Sequence, residues 1–242
     1  MEIGQFVRDM ERVAPPGLAE EIDSGRIGLI IEGNPEIGRI CCALDCTRAV
    51  VDEAVRRGAD MLVVHHTPIW TPVTAIRDPL APLLRRILSA GLNLYVMHTN
   101  FDHAPGGVND ALADLLYLEK VGPLSLGLVG ECPLILQEIA DRLGCPLRVW
   151  GEPEIPGTLA VVGGAGFDPV LIDEARDYGA GTFLSSDLRH SVARSASLPL
   201  IEATHYALEA PGMRSLAECR GWEFLDDPPP LRIWTNTTSG RK

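Results

Sequence analysis

The chain has 242 residues, of which 46% are hydrophobic and 22% charged, so it is long enough for one large or two small globular domains. Its formal net charge of -12 argues against nucleic acid as a partner, since phosphates call for a basic surface. A nucleotide stays possible if a metal supplies positive charge. No apolar run reaches the ~18 residues of a membrane span, and the first residues contain no apolar signal region. We therefore expect a cytoplasmic protein without a membrane segment, whose six cysteines are reduced and buried.

The predicted elements follow the same order in both parts of the chain. The first part begins with a helix at "IGQFVRDMERVA", and its strands are "IGLIIEG", "RICCALD", "MLVV" and "LNLYVM". The second part begins with a helix at "PLILQEIADRLG", and its strands are "CPLRVWGE", "TLAVVGG", "TFLSSD" and "LPLIEA". A helix with the letters Asp-Glu-Ala follows the second strand of each part, with Asp52 and Asp173 in equivalent positions. This order indicates an internal duplication.

A duplication of strands that alternate with helices predicts the fold class. We expect a duplicated α/β repeat whose sheets are mixed, mostly parallel and flanked by helices. The boundary is predicted near Gly122 and Pro123, so that residues 1–122 form the first repeat and residues 123–242 the second. A ligand site would then lie between the halves.

All six histidines lie just after apolar strands or in the segments that lead out of them. They are His65, His66, His98, His103, His190 and His205. In open α/β sheets, ligands bind outside the carboxyl ends of the strands, where the loops converge. This distribution favours a binding site over histidines that merely fill a core.

Two motifs have structural alternatives. In "HTNFDHAPGGVNDAL", Asp102 could cap the following helix, although Gly107 or Asn109 offers another start for that helix. In "HYALEAP", His205 and Glu209 would lie on one side if the segment were helical. Because Pro211 disfavours a helix before it, we predict a loop or a single turn over residues 205–209. Both side chains could still reach one point.

The candidate donor set consists of three imidazoles and two carboxylates: His65, His66, Asp102, His205 and Glu209. A mixed nitrogen and oxygen set suits iron, manganese, zinc, cobalt or nickel, and it lacks the thiolates of a structural zinc site. Five protein ligands are many for one ion that must also hold water. Two divalent metal ions bridged by Glu209 use the set better.

These motifs resemble the NGG-one-interacting-factor-like (Nif-three-like) family, whose members are also called GTP cyclohydrolase type-two homologues. The resemblance rests on "ALDCTRAVVDEAVRRGADMLVVHHTPIW", "HTNFDHAPGGVNDALADLL" and "THYALEAPGMRSLAE", with looser matches at "DSGRIGLIIEG" and "SSDLRH". It implies intertwined halves, a dinuclear metal centre on the five donors above, and a toroidal homohexamer. The chain departs from the family at Thr204, where the family has glycine, and at the two serines before Asp187. Those departures concern the substrate contacts more than the ligands.

The expected chemistry is metal-dependent hydrolysis by a hydroxide held between the two ions. The cyclohydrolase label implies a purine ring as the group that is hydrolysed, and a phosphoester is the second possibility. Asp187 and His190 are candidates for proton transfer, while His98 and His103 are expected to orient the ligands. A small-molecule substrate, possibly a nucleotide, is implied. The sequence contains no glycine-rich phosphate loop, so it predicts no nucleotide cofactor. The alternative is a metal-binding regulatory or scaffold protein without turnover.

Overall fold

The computed structural model describes residues 1–234, which form two β-sheets with helices on their faces. The helices are α1 (Ile3–Val13), α2 (Arg48–Arg56), α3 (Leu80–Ala90), α4 (Thr99–Asp102), α5 (Val108–Leu115), α6 (Leu136–Leu143), α7 (Pro169–Asp177), α8 (His190–Ser195) and α9 (His205–Arg220). The strands are β1 (Gly28–Ile31), β2 (Ile40–Asp45), β3 (Met61–His66), β4 (Asn93–Val96), β5 (Glu119–Pro123), β6 (Leu128–Cys132), β7 (Arg148–Trp150), β8 (Gly157–Val161), β9 (Thr182–Ser185), β10 (Leu200–Glu202) and β11 (Glu223–Phe224). Within these residues no helix is long and apolar enough to cross a membrane.

The two sheets share the order of four strands, β1-β4-β3-β2 in the first and β7-β10-β9-β8 in the second. The first sheet runs β1-β4-β3-β2-β11, and the second runs β5-β6-β8-β9-β10-β7. In the first, β2, β3 and β4 are parallel and β1 adds antiparallel to β4. In the second, β8, β9 and β10 are parallel and β7 adds antiparallel to β10. Because both halves repeat this arrangement, the duplicated α/β fold with mixed sheets flanked by helices is confirmed; the first sheet is mostly parallel, whereas β6 pairs antiparallel with both β5 and β8 in the second.

The halves exchange strands at their outer edges. The short strand β11 comes from the end of the chain and pairs with β2 in the first sheet. Strand β5 pairs with β6 in the second sheet, and it crosses the predicted boundary at Gly122 and Pro123. The halves are therefore intertwined, and the division at that boundary remains a prediction.

The central strands are mostly apolar because both faces of each sheet are covered. In β2, the adjacent Cys41 and Cys42 point to opposite faces, as the twofold periodicity of a strand requires. Cys42 packs with residues of α1 and α9, whereas Cys41 packs with residues of α2 and α3. The prediction that all cysteines are buried is wrong for Cys219, which is exposed on α9, and for Cys145, which is half-buried.

Helices α5 and α9 lie between the two sheets. Their residues Val108 and Met213 belong to the core of the first sheet, while Leu112 and Leu208 belong to the core of the second. The two helices pack closely, since a Cβ atom at Gly212 would lie 2.7 Å from Cα of Val108. A pair of helices that contacts both sheets fixes the loops of one sheet against those of the other.

The prediction of a loop or a single turn over residues 205–209 is wrong, because α9 begins at His205 and continues through Pro211 to Arg220. Thr204 caps the helix by accepting a hydrogen bond from the backbone N–H of Ala207. A proline inside a helix removes one backbone hydrogen bond and costs ~3 kcal/mol. Burial of one face of α9 against both cores, including Leu208 and Met213, offsets that cost.

Candidate metal centre

The candidate donors meet where the carboxyl ends of the first sheet face the start of α9. His65 and His66 are the last residues of β3, and Asp102 is the last residue of α4, just beyond β4. His205 and Glu209 lie four residues apart in the first turns of α9, so both side chains leave one side of that helix. The structure therefore brings all five predicted donors together, from both halves of the chain.

Glu209 lies at the centre of the cluster. Its Oε1 is 3.7 Å from Nε2 of His65, which in turn is 3.5 Å from Oδ1 of Asp102. Its Oε2 is 3.1 Å from Nε2 of His66 and 2.8 Å from Nε2 of His205. Each carboxylate oxygen thus faces a different subset of donors. Two groups of potential ligand atoms share Glu209, and within each group the atoms lie within 4.8 Å of one another.

Four histidines have their Nδ1 atoms held from outside the cluster. His65 Nδ1 is 2.7 Å from the main-chain oxygen of Met97. The other three face carboxylates at 2.6–2.7 Å: His66 faces Asp45, His98 faces Asp23, and His205 faces Asp187. A histidine that binds a metal commonly donates its other ring N–H to a carboxylate or carbonyl in this way. The arrangement leaves each Nε2 free to act as a ligand.

Several donor atoms are buried without a hydrogen-bond partner among the described residues. They are Nε2 of His65 and His205, Oδ1 of Asp102 and Oε2 of Glu209. Leaving such atoms unpaired is costly, and native structures rarely do so. Oε2 of Glu209 and Nε2 of His205 approach closely but are not aligned for a mutual hydrogen bond. Unpaired nitrogen and oxygen atoms that lie within 4.8 Å of one another in each group fit a divalent cation, so the donor set suits a metal.

The cluster separates the proton affinities of its two buried carboxylates. Burial and the neighbouring Glu209 raise the pKa of Asp102 well above its usual range. Burial opposes ionisation of Glu209 too, but the surrounding histidines outweigh it and hold the pKa of Glu209 well below its usual range. Burial lowers the pKa of His65. For His66, interactions with Asp45 and Glu209 outweigh burial and raise the pKa to about 10.

Glycines give the carboxylate of Glu209 its space. A Cβ atom at Gly164 would lie 2.1 Å from Oε1 of Glu209, and Gly164 has a φ of +67°. The neighbouring Gly163 donates its N–H to Oδ1 of Asn109 at 2.8 Å, and Asn109 donates to the main-chain oxygen of Asp102 at 3.0 Å. This chain of contacts links the loop after β8 to both sides of the cluster.

The remaining predicted site residues differ in position. Asp187 lies outside the cluster and orients His205, and His98 joins His65 and His66 as a third group of nearby ligand atoms. His103 Nε2 faces Glu20 at 3.4 Å. His190 is exposed at the start of α8, and no hydrogen bond or ion pair within residues 1–234 connects it or His103 to the cluster. Proton transfer by His190 remains a prediction.

Sequence reasoning missed three residues that contact the histidines. Asp45 ends β2 directly opposite His66 in the parallel pairing, so strand order and register together could have indicated it. Asp23 is buried in a 3-10 turn before β1, and no sequence pattern connects it to His98. Trp70 lies four residues beyond His66, with its ring centroid 5.1 Å from that of His98.

The fold and the cluster define a class: a duplicated two-sheet α/β protein with a buried histidine–carboxylate site that could hold metal. The chain matches the Duf34/NIF3 (NGG1p interacting factor 3) family over residues 1–221, and it belongs to that family. It is 34% identical to a "GTP cyclohydrolase 1 type 2 homolog" of Streptomyces coelicolor over 92% of this chain and 89% of that relative. A Pyrococcus horikoshii protein of the same name is 33% identical over 80% of this chain and 84% of the relative.

Solved structures support the same assignment. Reduced HcgD from Methanocaldococcus jannaschii superposes with a TM-score of 0.79 and 29% identity, covering 93% of this chain and 96% of that one. A structure of protein ybgI, described as of unknown function, has a TM-score of 0.85 and 26% identity. It covers 96% of this chain and 100% of its own. The fold is therefore that of the NIF3 proteins.

Proposed function

We propose that the cluster binds two divalent cations and that the protein is a metal-dependent hydrolase. The central observation is that the two oxygens of Glu209 face different donors, His65 on one side and His66 with His205 on the other. One ion would be held by His65, Asp102 and Glu209, and the second by His66, His205 and Glu209. Iron, manganese, zinc, cobalt and nickel all suit this donor set.

Two such cations would acidify a bound water and polarise the bond to be cleaved. The side chains of this chain supply the rest. His98 lies beside the cluster, with its Nδ1 held by the buried Asp23 and its ring partly exposed. It is therefore oriented to hold or transfer a proton at Nε2. The names of the relatives support ring-opening hydrolysis of a purine or a related substrate as the reaction class.

Metal analysis of protein purified without added metal tests the site. We expect a content near two ions per chain, and Glu209→Ala should lose both, since a bridging carboxylate serves each. Glu218→Ala, on the exposed face of the same helix, is the matched control and should keep both ions. One ion retained at full occupancy in the Glu209 variant would exclude the bridge. A hydrolysis screen with the retained metal then tests turnover, and metal binding without turnover would favour a regulatory or scaffold protein.

We also propose, on the family resemblance, that the protein assembles as a homohexamer in the cytoplasm. One chain has a mass of 26.2 kDa, so light scattering distinguishes six chains from one. A constant monomer mass across micromolar concentrations would contradict the assembly.

A further inference from the structure

A cavity of about 590 Å³ opens onto the cluster, and its lining suggests what can enter. His66 and His205 form its floor, and Trp70 and Pro229 are among its other lining residues. Its volume lies within the range of ~300–1,000 Å³ typical of small-molecule sites. No lysine or arginine within residues 1–234 lines this mouth, which is unusual for a site that takes phosphorylated ligands.

Trp70 supplies a flat apolar surface at the mouth. Its side chain is 40% exposed, and its ring meets His98 edge to face. The loop that carries it is tied down, because Arg26 donates from Nε to the main-chain oxygen of Trp70 at 2.6 Å. A large, partly exposed aromatic ring beside a polar cluster is suited to stack on a planar ligand.

The segment before Pro229 is hydrogen-bonded to α9 and to Thr47. Tyr206 donates its hydroxyl hydrogen to Asp226 at 2.7 Å and accepts from the backbone N–H of Asp227 at 3.0 Å. The carboxylate of Asp227 accepts from the hydroxyl of Thr47 at 2.6 Å. These contacts hold Asp226 and Asp227, just before the prolines, and Pro229 adds an apolar lining residue to the cavity besides Trp70.

The charge of the site disfavours anions even with metal bound. Asp102 and Glu209 lie in the cluster, and Asp45 and Asp187 contact its histidines. These four carboxylates would cancel the four positive charges of two divalent ions, and Asp23 behind His98 would leave a net charge of -1. A net charge of -1 at the site, about 6 Å from the ligand, would repel each negative charge on that ligand. Even in water this repulsion weakens ligand binding by about threefold for each unit of negative charge.

We propose that the ligand of this mouth is an uncharged planar heterocycle, such as a nucleobase or nucleoside, and not a phosphorylated nucleotide. The ring stacks on Trp70 and presents its edge to the cluster between His66 and His205. This inference rests on the proposed function for the presence of two cations, and it narrows the substrate to a neutral ring compound.

Calorimetric titration of the Mn²⁺-loaded full-length protein with guanosine, guanosine monophosphate and GTP tests the inference, because the three share one ring. We expect guanosine to bind most tightly, with affinity falling at least about threefold for each added charge. Tighter binding of GTP than of guanosine would overturn the proposal, since a phosphate would then be the recognised group.

Variants at the mouth separate stacking from charge. Trp70→Ala should weaken guanosine binding about tenfold, and Trp70→Phe should keep most of it. Trp234→Ala is the control, because Trp234 is 90% exposed and does not line the mouth. Pro229→Lys, compared with Pro229→Ala, should raise the affinity for guanosine monophosphate several-fold relative to guanosine. Equal guanosine affinity in Trp70→Ala and the unaltered protein would contradict the stacking role.

The outcomes also distinguish this inference from the proposed function. Guanosine binding that depends on Trp70, without hydrolysis of any compound, would leave the ligand class standing and remove the hydrolase. Hydrolysis of GTP by protein that does not bind guanosine would support the hydrolase and overturn the proposed ligand class.

Discussion

A methyl group at Gly164 would lie 2.1 Å from Oε1 of Glu209, so this glycine sets the position of the central carboxylate. Glu209 is a flexible side chain and could move away, but it would then lose its alignment with His65 and His66. The loop after β8 is thus part of the site although it supplies no ligand.

We therefore expect Gly164→Ala to weaken metal binding by at least about tenfold, an effect of the size seen when groups that orient ligands are changed. The left-handed backbone at this position adds a folding cost of ~1–2 kcal/mol. Gly144→Ala is the matched control, because Gly144 has a φ of +63° and open space around its Cα. Metal titration and thermal unfolding of both variants separate the effects. Equal metal affinities would show that Glu209 adapts without loss.

The substitution Asp102→Asn tests whether the negative charge of Asp102 is needed for metal binding, because asparagine has nearly the same size. Oδ1 of Asp102 is buried without a partner within residues 1–234, and the side chain is only 9% exposed. If Asp102 is a ligand, the change should lower metal affinity by more than about 100-fold, beyond the effect of an outer partner. The metal-free protein should be as stable or more stable, because the repulsion with Glu209 disappears. Calorimetry with metal decides, and unchanged affinity would show that Asp102 is not a ligand.

The carboxylates that face Nδ1 of the histidines should each contribute to metal affinity. Asp45→Asn and Asp187→Asn each change the group that faces Nδ1 of one histidine, His66 and His205 respectively. We expect each variant to lower metal affinity 10- to 100-fold, as a rough range for such partners. Asp52→Asn, an exposed aspartate on α2 that pairs with Arg86, is the control. Losses no larger than that of the control would mean that the histidines need no orientation.

Alanine substitutions at the two glycines before α5 should differ in their effect on the free energy of unfolding. A Cβ atom at Gly107 would lie 1.8 Å from the main-chain oxygen of Phe101, whereas one at Gly106 would meet nothing within 4 Å. Gly107→Ala should lower the free energy of unfolding by roughly 3 kcal/mol through overpacking. Gly106→Ala should cost about 1–2 kcal/mol, since its φ is +73°. Denaturant unfolding compares them, and a smaller loss for Gly107→Ala would contradict the close backbone approach.

Much of the site could be predicted because its donors follow strands. The histidines His65 and His66 end a buried apolar strand, and the carboxyl ends of parallel strands meet at one edge. The partners of the histidines could not be found this way, since Asp23 and His98 are 75 residues apart and meet only through tertiary packing. The start of α9 was missed for a related reason. Local preference at Pro211 argues for a break, and only the burial of α9 between two sheets overrides it.

The exchange of strands between halves has a consequence for biosynthesis. A chain emerging from the ribosome presents His65, His66 and Asp102 long before His205 and Glu209 have been translated. The first sheet receives its edge strand β11 only when Glu223 and Phe224 have been made. The nascent protein therefore lacks the full donor set until Glu209 has been synthesised, so all five groups could hold metal together only after residues of both halves have been made.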